Sequence, residues 1–416
     1  MNALPSTERL QAPAAPLPRI VGLDVARGLA VIGMLAQHFA SLPPSPPTLF
    51  RPGSWAGLVS GGSTILFAVI GGISIGIITG AARRLDGQQL LRARMKLLAR
   101  AAVIFLLGAV LNAISPGVGV ILCVYALCYI AVIPLLRVRP RTLALGAVAG
   151  MVVVPVLLAY LAAFKQWRLP VNASFEEFDL LFAPNGLSVA PLTLYFLLGI
   201  ALSRFDISSA RTVLGMLVGG VVLVVVGYGG GWVVTEAAGT GTAAAVPPAP
   251  AGGPATAPPD NAALTRGLLC MPEPGQVTCI DPAFDPDTYK PAWQAPDLAD
   301  QARRVPHSNH VAEMLGGTGV ALLVTGLSLV VTPRVRRLVV PLAALGTMAL
   351  TAYSLQFVLL YTVSYLGGSD LLSDNQTFLI MTVALLVVCP VWRRLLGQGP
   401  FERLLSAAAR RAAHVG

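Results

Sequence analysis

The sequence predicts an all-α, polytopic integral membrane protein of about ten transmembrane helices, with both termini in the cytoplasm. Three observations carry that expectation. Of 416 residues, 55% are hydrophobic and 12% charged, about half the charged share of an ordinary soluble domain. Apolar residues gather in runs of about 20, which at 1.5 Å rise per residue cross a hydrocarbon core of about 30 Å. Basic residues fall between those runs and not along one amphipathic face, so the formal charge of +10 speaks for membrane orientation and against nucleic acid.

Residues 1–18 are rich in Pro and Ala and read as a disordered cytoplasmic N-terminus. The first apolar run lacks a short core followed by a small-residue cleavage site, so it is expected to stay as an anchor and not to be removed as a signal peptide. Spans follow at roughly 23–43, 55–81, 98–114, 117–136, 142–164, 187–203 and 212–235, making 19–235 the first membrane unit. The second of these exceeds about 20 residues, which calls for tilt, a kink or deep packing. Residues 236–308 form a long outer loop whose first half, rich in Pro, Ala and Gly, cannot bury a core. Three more spans, at roughly 310–331, 338–363 and 376–392, make up 309–396, and a basic cytoplasmic tail covers 397–416. With the N-terminus inside, 22 of the 29 Lys and Arg residues fall on the cytoplasmic side, and an even number of helices suits every loop. The cell membrane is the expected location.

Five cysteines are few. Cys123, Cys128 and Cys389 lie inside apolar runs, where small polarizable residues pack routinely. Cys270 and Cys279 lie in the outer loop, an oxidising setting in which a local disulfide is expected. Two free thiols are the alternative. No metal-ligand spacing appears, so no metal is expected.

The densest chemical signal is in the first helix, where Asp24, Arg27 and His38 enter one span. Asp24 and Arg27 are three positions apart, within ion-pairing reach on one helical face. His38 is eleven residues beyond Arg27, about three turns, so it lies on the same face about 16 Å nearer the exterior. Ionisable groups in hydrocarbon are costly and mark functional sites by default. The structural alternatives are an interfacial ion pair for Asp24 and Arg27 and a hydrogen-bonded packing role for His38. At the start of the eighth helix His307, His310 and Glu313 follow at three-residue spacing, so His310 and Glu313 can pair, although solvated cap residues give the same pattern. The ninth helix carries Thr351, Tyr353, Ser354 and Gln356, which serve interhelical hydrogen bonding or substrate contact. Gly227 to Gly231 follows no strand and precedes no Lys-Ser or Lys-Thr, so it reads as close helix packing or a kink and not as a phosphate loop.

The segment Leu23-Asp24 followed by Arg27-Gly28 and a polar residue near the outer end resembles the opening signature of the transmembrane acyltransferase superfamily. The likeness is in particular to heparan-alpha-glucosaminide N-acetyltransferase and to the bacterial YeiB-like membrane proteins. The stretch from Phe50 to Gly57, with Ser54-Trp55 leading into the second helix, looks like the one before the second signature helix of that acetyltransferase. Leu345 to Tyr353 and Gly399-Pro400-Phe401-Glu402 look like the closing signatures of the YeiB-like proteins. Where the acetyltransferase has a histidine proposed as catalytic, this chain has Pro52.

The resemblance implies transfer of an acyl group, acetyl first among them, from cytoplasmic acyl-CoA (acetyl-CoA) to a glycan or lipid-linked saccharide outside. It assigns the chemistry to His38, with His307 and His310 as substitutes, and supporting or substrate-binding roles to Asp24, Arg27, Ser54, Trp55, Glu313, Tyr353 and Gln356. The basic inner ends, Arg83, Arg84, Arg92, Arg94 and Lys96 among them, suit CoA phosphates, though positive-inside bias explains them as well. The expected partners are membrane lipids and the saccharide acceptor; the oligomeric state stays open, a homo-oligomer included. Two other classes fit the same polar stripe: a transporter or channel, and a noncatalytic envelope scaffold.

Overall fold

The computed structural model describes residues 19–42, 52–81, 85–115, 119–168, 180–183, 186–237, 269–273, 276–280, 293–365 and 375–414. Helices α1 (Val21–Phe39), α2 (Val59–Ile78), α3 (Gly87–Ile114), α4 (Ile121–Ala131), α5 (Pro140–Arg168) and α6 (Val189–Ser203) come first. Next is α7, which begins at Ala210–Val224 and runs through a π-helical turn at Val225–Gly229 into Gly230–Ala237. After it come a hairpin of β1 (Leu269–Glu273) and β2 (Gln276–Ile280), then α8 (Val311–Val331), α9 (Val340–Thr347), α10 (Ala349–Tyr365), α11 (Asn375–Leu395) and α12 (Pro400–His414). Each of the ten apolar runs carries a helix. The hairpin adds strand to the expected all-α chain, and α12 is a further helix that the apolar pattern did not announce.

Six of these helices, α2 with its leading turn, α3, α5, α7, α8 and α11, are long and apolar enough to cross a membrane. The pair α9 and α10, bent by 80°, makes a seventh if it is one broken span. Among the described residues, length and apolarity do not confirm the expected ten. The reasons are local: α4 and α6 have 11 and 15 residues, short of the roughly 20 needed, and α1 gives its face to Asp24, Arg27, Gln37 and His38.

Burial sorts the helices into two shells. α2 and α8 are mostly inside, with Val69, Ile70, Ile73, Met314 and Ala321 almost fully buried. By contrast α3, α5, α7 and α11 show Leu106, Val153, Leu157, Leu214, Val218, Ile380 and Val387 on their outer faces. Apolar stripes of this extent on an outer surface belong against lipid. In lipid there is no hydrophobic drive between helices, so close approach of small residues supplies the packing. A Cβ on Gly72 of α2 would strike the Phe196 backbone of α6, and one on Gly199 of α6 would strike the Val69 carbonyl. The Gly227 backbone passes Gly316 and Ala312 of α8 in the same way, at the π turn. The glycine run there is both a close-packing seam and an irregular turn.

In the hairpin, the antiparallel register sets Cys270 opposite Cys279, and opposed residues of such a pair have Cα atoms about 4.5–5.5 Å apart, within disulfide range. Their side chains lie outside the described residues, as do residues 1–18, the Pro/Ala/Gly-rich stretch 238–268, and Arg83 and Arg84.

Candidate functional site

At one end of α1, three signature segments meet. Arg27 Nη1 approaches Asp24 Oδ1 at 3.3 Å and donates to the Gly346 carbonyl at 3.3 Å, while Nη2 donates to Ser74 Oγ of α2 at 2.8 Å. Arg19 Nε closes on the other Asp24 oxygen at 2.6 Å. The ion pair expected from three-residue spacing is present. It also does more than snorkel, because Arg27 ties α1 to α2 and to the α9–α10 bend. The backbones touch: a Cβ on Gly346 would collide with the Asp24 carbonyl, and one on Gly28 with the Leu342 carbonyl.

The bend after α9 frees backbone N–H groups at the start of α10, and such donors need partners inside a membrane protein. Glu402, from the start of α12, supplies them: Oε1 accepts from Leu350 N at 2.8 Å and Thr351 N at 3.0 Å, and Oε2 accepts from Thr351 Oγ1. The two closing signatures of the sequence are therefore one structural unit.

Beside this unit lie two adjoining cavities. One of about 410 Å³ is lined by Arg19, Arg100, Arg393, Gln398 and Glu402. The other, about 200 Å³, reaches inward to Arg27, Phe67, Ser74, Tyr125 and Tyr129. Arg100, Thr347, Glu402 and Leu405 line both. Of the four arginines along this space, Arg19 and Arg27 are paired with Asp24, and Glu402 is engaged as a cap, which leaves the lining basic on balance. The Arg100 Nε is buried and has no hydrogen-bond partner among the described residues, an orphan donor that costs about 1–3 kcal/mol unless something bonds it. Neither Arg100 nor Arg393 stood out in the sequence, since each sat in a basic cluster that orientation alone explains.

At the opposite end of α1, His38 is half-buried, its ring edge-on to Phe357 of α10 with centroids 5.4 Å apart. Among the described residues its nitrogens have no hydrogen-bond partner. Next to it, Gln37 Nε2 donates to the Val59 carbonyl at 3.3 Å and lies 3.4 Å from His307 Nε2. Gln37 precedes His38 in α1, so this contact brings His307 to the turn of α1 that carries His38. Burial holds the His307 and His310 imidazoles below the ordinary histidine range.

His310 is the N-cap residue of α8, and its Nδ1 meets the Arg303 carbonyl at 3.3 Å. Glu313 is buried and turns back to accept from His307 N at 2.6 Å, Ser308 Oγ at 3.0 Å and Asn309 N at 2.8 Å. The three-residue spacing thus brings Glu313 to the His307 backbone and not to the His310 ring. Tyr353 is committed to the fold: its hydroxyl accepts from Ile121 N, the first N–H of α4, at 3.1 Å, and its ring lies 5.0 Å from Phe357. Gln356 is 2% exposed, and both of its amide atoms lack a partner among the described residues. Trp55 is exposed in the 3-10 turn Pro52–Leu58 that leads into α2; the Ser54 side chain lies outside the described residues. Among the described residues no group of three His, Cys, Asp or Glu side chains gathers as metal ligands. Gln37 was missed in the sequence, where only its position beside His38 in an apolar span marked it.

Residues 19–224 match the family model described as heparan-alpha-glucosaminide N-acetyltransferase, catalytic, and residues 291–412 match the one described as protein of unknown function (DUF418). No curated protein and no solved structure matches the chain. The first match holds Asp24, Arg27 and His38 and the second Glu313, Gly346 and Glu402, so the contacts of Arg27 with Gly346 and of Gln37 with His307 join the two. Over these two stretches the chain is similar to the heparan-alpha-glucosaminide N-acetyltransferase catalytic region and to the DUF418 proteins, in keeping with the resemblance to YeiB-like membrane proteins and the transmembrane acyltransferases.

Proposed function

We propose that the protein is a membrane-embedded acyltransferase of the plasma membrane. It takes an acyl group, acetyl in the first instance, from cytoplasmic acyl-CoA and passes it to a hydroxyl or amino group of a glycan or lipid-linked saccharide outside. One observation carries the reading: a single helix, α1, has a basic cavity at its Asp24 end and an imidazole cluster at its His38 end. The Asp24 end faces the cytoplasm in this reading, and the cavity there takes the phosphates of the donor. Arg19, Arg100 and Arg393 are the anion contacts, with guanidinium forks suited to phosphate oxygens. Arg27, already bound to Asp24, Ser74 and Gly346, sets the inner wall.

At the other end His38 is the general base. The acceptor's O–H or N–H proton passes to the imidazole as the acceptor atom bonds the acyl carbon. The carbon–sulfur bond of the thioester breaks, and the proton ends on the released CoA thiolate. The sum is acyl-CoA plus acceptor giving acyl-acceptor plus CoA, with no redox step.

Replacing Arg100 with Ala should weaken donor binding about tenfold to a hundredfold, the value of a lost hydrogen bond to a charged group. Equilibrium binding of acetyl-CoA to the purified variant checks this, with thermal unfolding as the control. Unchanged affinity would remove Arg100 from the donor site.

The orientation has its own check in single cysteines placed in a background without the native ones. A cysteine at Gln294, exposed before α8, should react with an impermeant thiol reagent in intact cells. One at Gly87, at the start of α3, should react only after lysis. The reverse pattern would put the basic cavity outside, beyond the reach of cytoplasmic acyl-CoA.

A further inference from the structure

The turn before α8 is built in a way that its length does not require. His307 and Asn309 both have left-handed backbones, with φ of 60° and 55°. Residues other than Gly adopt that region uncommonly, with Asn and His enriched among those that do. Here three elements enforce it. From α8, the Glu313 carboxylate accepts from His307 N, Ser308 Oγ and Asn309 N. From the segment before α6, Gly186 N donates to the His307 carbonyl at 2.6 Å, and the Gly186 carbonyl accepts from Asn309 Nδ2 at 2.9 Å. From the kink in α2, Gly61 (φ 76°) leaves room for the carboxylate, since a Cβ there would lie 2.6 Å from Glu313 Oε1.

Three donors converging on two oxygens need a carboxylate. A glutamine offers one accepting oxygen and would turn an N–H against an N–H. What the turn delivers is the His307 ring, set against Gln37.

The Gln37 amide nitrogen fixes the tautomer of that ring. It donates to the Val59 carbonyl, so it is the NH₂ and not the oxygen that faces His307. His307 Nε2 must then accept, and the proton sits on Nδ1. That N–H has no partner among the described residues.

We propose that Glu313 is a positioning residue: through the turn it clamps, it presents the His307 Nδ1–H beside His38 as the hydrogen-bond donor that holds the acceptor substrate. His38 takes the acceptor's proton and His307 holds the acceptor in place. This rests on the acyl-transfer reading for the identity of the substrate but not for the clamp itself.

Two arms keep those parts separate. In the first, diethyl pyrocarbonate, which attacks a free imidazole lone pair, is applied to the purified protein and modification of His307 is followed by peptide mass spectrometry, with His310 as internal reference. Glu313→Gln should raise the His307 rate at least about tenfold relative to His310, the factor a lost hydrogen bond of this class carries. Gly61→Ala should do the same from the other side by displacing the carboxylate, which covers the case in which one variant fails to fold. Unchanged His307 reactivity in folded Glu313→Gln and Gly61→Ala would overturn the clamp, whatever the enzyme's activity. In the second arm, steady-state transfer by Glu313→Gln should show a KM for the acceptor raised about tenfold with the KM for acetyl-CoA unchanged. An unchanged acceptor KM, or equal changes in both, would overturn the role of His307 in holding the acceptor.

Discussion

Replacing His38 with Ala should abolish acyl transfer while leaving expression and acetyl-CoA binding near the wild-type level. A hydroxyl is a poor nucleophile near neutral pH, and a positioned imidazole that takes its proton in the transition state contributes about 10²- to 10⁴-fold. The loss should appear in kcat, because the proton moves only as the acceptor attacks. The geometry separates this effect from damage to the fold. The His38 ring makes one edge contact with Phe357, is half-buried, and has no hydrogen bond to a described residue, so its removal leaves no polar group of the framework unpaired. His38 is not among the residues that line the donor cavity, which lies about three helical turns away. The measurement is single-turnover transfer from labelled acetyl-CoA by equal amounts of folded wild-type and variant protein. Turnover retained within a few-fold would take the general-base role from His38 and leave His307 as the nearest imidazole.

The largest structural effect should follow a change of a few atoms at Gly346. Gly346→Val should prevent accumulation of folded protein, with Gly346→Ala intermediate. Overpacking a well-filled interior typically costs about 1–3 kcal/mol because side chains can shift, but here nothing flexible stands in the way. A Cβ at this position meets the Asp24 carbonyl and the Gly28 nitrogen, both backbone atoms inside a helix. Relief would require α9 to move away from α1, which would break the Arg27 bond to the Gly346 carbonyl and open the inner cavity. Fluorescence-detected size exclusion of detergent-solubilised protein reads the outcome. A monodisperse Gly346→Val protein with wild-type yield would show that α1 and α9 do not meet at this point.

The helices were legible because hydrocarbon demands about 20 apolar residues per crossing, and every predicted run is helical. What decides whether a run crosses in full was less legible. The α9–α10 bend of 80° falls at Thr347-Met348 inside one predicted span, and the freed start of its second half is capped from far away, by Glu402, 51 residues after Thr351. No local pattern announces such a partner. The same holds for Glu313, whose neighbours in sequence predict a pairing with His310, whereas a pair of left-handed residues turns the His307 and Asn309 N–H groups toward it. The ion pair of Asp24 and Arg27 was readable because it is local and helical. Arg100 was not, because one arginine among six basic residues looks like topology until the cavity is seen. Gln37 shows the opposite limit: a polar residue in an apolar span was visible, but its partners, Val59 and His307, come from two other parts of the chain.

The central claim, that a donor on the Asp24 side gives up its acyl group at the His38 end, is tested most directly in sealed proteoliposomes of defined orientation. Radiolabelled acetyl-CoA is supplied only to the side carrying Arg100 and Arg393, and a mixture of saccharide acceptors only to the side carrying His307. The account predicts labelled acceptor on the His307 side in wild-type vesicles and none with His38→Ala. Labelled acceptor formed only when both substrates share one side, or no label transferred while solute flux is measurable, would contradict it.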